Sequence, residues 1–82
     1  MTNKELQAIN NLYIKLMEKE NRTEAEEAQY NYLDKLLTYI RLYTTAKRMG
    51  NKNPDGNFLV KDAKSRMEEA QANMHRIMDA TN

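Results

Sequence analysis

Cysteine and tryptophan are absent from these 82 residues, glycine occurs twice and proline once. Without cysteine there is no disulfide framework and no cysteine zinc site, and the composition fits a reducing compartment. Two glycines, one of them inside a turn signal, leave no phosphate-cradling loop. No apolar run exceeds three residues, too short for a membrane helix. The opening stretch MTNKELQAINN lacks the apolar segment of a secretory signal. The expectation is a cytoplasmic chain with no membrane partner. A domain of this size buries only about 60% of the surface its unfolded chain exposes, so association with itself or a partner is a common source of added stability.

Charge of one sign is also missing overall: 13 Lys plus Arg face 12 Asp plus Glu, for a net charge of +1. The distribution is uneven. Residues 1–40 are mildly acidic, as are residues 67–82, whereas 41–66 hold Arg41, Lys47, Arg48, Lys52, Lys61, Lys64 and Arg66 against Asp55 and Asp62. The middle of the chain is a basic block between two acidic ones.

What is present is helical. Thr2-Asn-Lys-Glu5 and Thr23-Glu-Ala-Glu26 have the form of capping boxes. Behind the first, Leu6, Ile9, Tyr13 and Leu16 recur at helical spacing, and the pattern fades near Glu20 to Arg22. Behind the second, Ala25, Tyr32, Leu33, Leu36, Ile40 and Tyr43 form one face, while Asp34, Thr38, Arg41, Thr45 and Arg48 form the other. Glu24, Glu26 and Glu27 suit the positive end of that helix, and Lys47 and Arg48 its negative end. Gly50 is placed to end it. A third seam runs Val60, Ala63, Met67, Ala70, Met74 and Ile77, with alanines that admit a close neighbour and methionines that fill gaps. No strand pattern competes. These signals predict an all-α fold: one domain over 1–82, an antiparallel three-helix bundle with coiled-coil-like packing, helices near 2–20, 23–49 and 57–80, the central one longest.

NKNPDGNFLVKD, residues 51–62, invites a calcium-loop reading. Asn51, Asn53 and Asp55 fall at loop positions one, three and five, Gly56 at six and Asp62 at twelve. Only two of these are carboxylates, twelve is not glutamate, and Lys52 and Lys61 oppose a cation. Asn53-Pro54-Asp55-Gly56 is a good type I turn and Asn57 can cap the third helix. The turn is the reading adopted, with a weak single calcium loop as a minor alternative.

Nothing assembles a nucleophile, a base and an orienting group. His75, the single histidine, lacks a metal-spaced companion and falls away from the third seam, and no cofactor is implied. The expectation is a protein without catalysis. Geometry suggests where it acts. The first helix covers the second only to about residue 40, which leaves an apolar tip ringed by basic residues. Tyr39, Leu42, Tyr43, Lys47, Arg48, Met49 and Lys52 are the candidate contact residues of this 39–52 tip. The reading is a small interaction protein that binds another protein, as inhibitor or adaptor, and self-associates there to form a homo-oligomer. The alternative is nucleic-acid binding by the basic 41–66 segment, with tyrosines stacking on bases.

Overall fold

The computed structural model describes residues 2–80. Three helices, α1 (Asn3–Glu18), α2 (Glu24–Arg48) and α3 (Phe58–Ala80), form an all-α bundle with no strand among the described residues. A single 3-10 turn, Pro54–Gly56, interrupts the last connection.

Each helix begins where a side chain satisfies its orphan amides. Thr2 Oγ1 accepts the Glu5 N–H at 3.1 Å. Here only the hydroxyl arm of the box forms. At α2 the box is complete: the Glu26 N–H donates to Thr23 Oγ1 at 3.1 Å, and the Thr23 N–H donates to Glu26 Oε1 at 3.0 Å. Asn57 Oδ1 accepts the Leu59 N–H at 2.9 Å and starts α3.

The end of α2 is equally explicit. Gly50 takes φ +91°, a conformation that costs an L side chain energy. Its N–H donates to Lys47 O at 3.1 Å and the Asn51 N–H to Ala46 O at 3.0 Å, the paired bonds of a Schellman motif. The chain then turns through Asn53–Gly56, where the Gly56 N–H donates to Asn53 O at 3.0 Å. The expected turn is present, and Pro54 is buried beneath it.

The end of α1 relies on Arg22. Its Nη1 donates to Leu16 O at 2.9 Å and its Nε to Glu27 Oε2 at 2.6 Å. Its guanidinium lies 4.5 Å over the Tyr30 ring, and Tyr30 stacks on Tyr13 with centroids 5.0 Å apart. Lys19 adds an ion pair to Glu26 across the same corner. One arginine thus closes a helix, covers a ring and ties the two helices together.

The core lies mostly between α2 and α3, the most extensive helix pairing. Val60, Ala63, Ala70 and Met74 of the anticipated α3 seam are buried, Val60 to 1% exposure. Short Ala63 and Ala70 side chains let the helices approach closely. Leu16 and Leu33 are buried as well, and so is Ala28, which the apolar reading of α2 omitted. No Cα of α1 comes within 8 Å of α3 among the described residues. The molecule, 43 × 23 × 19 Å, is a central helix flanked by two others whose backbones stay more than 8 Å apart. That explains a difference from expectation: Asp34 and Thr38, assigned to the outer face, are half-buried, because α2 is covered on two sides.

Candidate functional site

The candidate residues gather at the end of the molecule where α2 stops and α3 starts, but they fall into two groups. Tyr39, Leu42 and Tyr43 are half-buried, whereas Lys47, Arg48, Met49 and Lys52 are exposed.

Tyr39 is a strut. Its hydroxyl donates to Asp55 Oδ1 at 2.9 Å and fastens the 3-10 turn to α2. Burial, followed by that hydrogen bond and the carboxylate charge, pushes its phenol up to about 12. Tyr43 packs beside it, ring centroids 5.9 Å apart. Tyr43 is less bare than the length comparison predicts, because the start of α1 reaches further along α2. Thr2, Asn3 and Leu6 share a groove with Tyr39, Ile40, Tyr43 and Thr44.

Leu42 sits on the other flank. It lines a groove with Thr38 of α2 and with Leu59 and Ala63 of α3. Met49 lies seven residues further along α2, two turns on and on the same face. Met49 is 82% exposed, Phe58 80% and Leu59 60%. They are the most exposed large apolar side chains among the described residues, and all three flank the 50–57 connection. The sequence reading placed Phe58 and Leu59 inside the third helix, near 57–80, and gave neither a part in the tip. With Asn57 capping α3, as the sequence suggests, the buried seam begins only at Val60. The two preceding apolar residues then have no core to enter.

Around this apolar edge stand Lys47, Arg48, Lys52, Lys61 and Lys64. None of them makes an ion pair or side-chain hydrogen bond among the described residues. The α1–α2 corner differs, since Lys19 and Arg22 are both paired there. Unpaired charge and exposed apolar surface therefore coincide at one end.

Three of the four side chains that would ligate at 51, 53, 55 and 62 have an oxygen with a partner within the chain. Asn51 Oδ1 accepts the Asn53 N–H at 3.0 Å, Asp55 accepts from Tyr39, and Asp62 Oδ2 accepts from Arg66 Nε at 3.0 Å. Among the described residues no three His, Cys, Asp or Glu converge as a metal site would require. His75 is exposed on α3. No helix among the described residues is long and apolar enough to cross a membrane.

No protein-family model matches this chain, and neither a curated protein nor a solved structure matches it either.

Proposed function

We propose that this chain is a non-catalytic interaction module that receives an acidic protein surface with an apolar centre. It does so at the end formed by Leu42, Met49, Phe58 and Leu59. The observation that carries the reading is the exposure of Met49, Phe58 and Leu59 together, in a protein whose interior has little apolar material to spare. Exposed aromatic and methionine side chains are typical anchors at the centre of an interface. The unpaired lysines and Arg48 around them steer an acidic partner and set its orientation more than they add affinity. In this reading Tyr39 holds the turn in place and Tyr43 supports the edge.

The test places a photo-crosslinking residue at Lys52 in the otherwise unaltered chain, and again in a Met49→Ser, Phe58→Ser, Leu59→Ser variant. The expected result is a discrete protein adduct, lost in the triple variant while helicity by circular dichroism is unchanged. An adduct that survives the triple variant sinks the reading. If the adduct is a second copy of the chain, the same edge is a self-association surface.

A second reading, nucleic-acid binding, draws on the same unpaired basic side chains. Labelled single- and double-stranded DNA at low and physiological salt would test it. Affinity that falls steeply with salt and vanishes with Lys47→Glu and Arg48→Glu supports it; no binding at low salt removes it.

A further inference from the structure

A different cleft, between α1 and α2, carries an inference that shares only Arg48 with the apolar edge. It encloses about 420 Å³, within the range of small-molecule sites. Leu6, Leu37 and Ile40 supply apolar lining, and Asp34, Arg41 and Arg48 line it along α2. These three charged residues are spaced seven apart, about 10 Å per step along the helix, so they form one stripe.

The two arginines have no counter-charge. On a helix the neighbours of a side chain lie three and four residues away. For Arg41 these are Leu37, Thr38, Thr44 and Thr45; for Arg48, the last residue of α2, they are Thr44 and Thr45. None is acidic. Across the cleft, α1 contributes Leu6, Asn10 and Tyr13, again without a carboxylate. Asp34 already has partners, the Tyr13 hydroxyl at 3.2 Å across the cleft and Lys35 Nζ at 3.6 Å. Among the described residues neither Arg41 nor Arg48 makes an ion pair or side-chain hydrogen bond. Two guanidiniums flanking two threonine hydroxyls suit a phosphate, which an arginine fork binds bidentately.

We propose that this cleft binds a small phosphomonoester with a flat, amine-bearing body, of the size and chemistry of a nucleoside monophosphate. The phosphate lies between Arg41 and Arg48 beside Thr44 and Thr45. The body rests on Leu37 and Ile40, and its amine reaches the free acceptor capacity of Asp34, one seven-residue step from Arg41.

The probes are adenosine monophosphate, adenosine and inorganic phosphate, titrated into the full chain by NMR. Amide shifts of Asn10, Tyr13 and Thr44 report on the cleft. The expected result is saturable binding of the monophosphate at least tenfold tighter than either fragment. Arg41→Gln and Arg48→Gln should each weaken it at least tenfold, and Lys15→Gln, a charge loss outside the cleft, should leave it unchanged. Both arginines are exposed, and thermal melts of the variants check that they fold. No saturation by millimolar monophosphate overturns the proposal. So does equal binding of either fragment, or equal weakening by Lys15→Gln. The photo-crosslinking result at Lys52 is separate from all of these.

Discussion

The hydroxyl of Tyr39, midway along α2, donates to the carboxylate of Asp55 across sixteen positions of sequence. This bond joins the rigid helix to the turn that introduces Phe58 and Leu59, so it determines how the exposed apolar edge is presented. Because Asp55 is exposed, the bond's value lies more in geometry than in energy.

Tyr39→Phe keeps the ring and removes the bond. A neutral-to-charged hydrogen bond near the surface is worth on the order of 1 kcal/mol, so urea unfolding should show a loss of about that size or less. The larger effect is expected in the 51–57 amides, which should exchange faster with solvent. An unchanged exchange pattern would mean that the turn holds itself.

Alkali should unfold the protein in a defined window. Tyr13 and Tyr39 are both raised from 10.0 to about 12, Tyr13 chiefly by the adjoining Tyr30 hydroxyl and then by burial, Tyr39 chiefly by burial. In the unfolded chain both phenols lose protons near 10, so between about 10 and 12 the folded state holds more protons. Stability from these groups is therefore complete below pH 10 and is lost as pH climbs through 12. At the acid end Glu26, lowered to about 2 first by Lys19 and then by the Thr23 amide, acts in the opposite direction. Its contribution is present above pH 4.5 and fades as pH falls through about 2. Urea midpoints across the pH range check both limbs, and Tyr39→Phe should flatten the alkaline one.

The α2–α3 seam predicts a contrast between neighbouring alanines. Ala70 is buried and Ala72 exposed. Ala70→Leu forces the helices apart at a cost of about 1–3 kcal/mol, whereas Ala72→Leu should change the urea midpoint by little. Equal effects would contradict the close packing of the seam.

Gly50 isolates a backbone effect. A methyl at this position would meet nothing within 4 Å, yet φ is +91°. Gly50→Ala should therefore cost on the order of 1 kcal/mol without a steric clash. A thermal melt that does not move would show that the Schellman turn relaxes freely.

The sequence revealed those parts of the fold that are decided locally. Both threonine caps, the Gly50 terminator, the Asn53–Gly56 turn and the Val60–Met74 seam depend on residues a few positions apart. Arg22 resisted this reading: it looked like the polar end of α1, and its role with Tyr30 and Leu16 needs a second helix in place. Asp34 and Thr38 were assigned to an outer face for the same reason, and both are half-buried. A single apolar stripe describes a helix packed on one side, and α2 is packed on two. At the apolar edge, Leu42 and Met49 were visible from helix spacing. The exposure of Phe58 was not, because it depends on which side of the first turn of α3 is covered by α2.

The backbone separation of α1 and α3, beyond 8 Å throughout the described residues, makes the three segments closer to thermodynamically linear than circular. Each flanking helix packs chiefly against α2, so α1 can detach while the α2–α3 hairpin keeps its own interface. Amide protection should then be graded, lowest in α1 and highest along the hairpin, as expected of separate cooperative units. Arg22 sits at the hinge of that hierarchy. Its loss would lower the barrier to a sub-global opening well before it threatened the whole molecule.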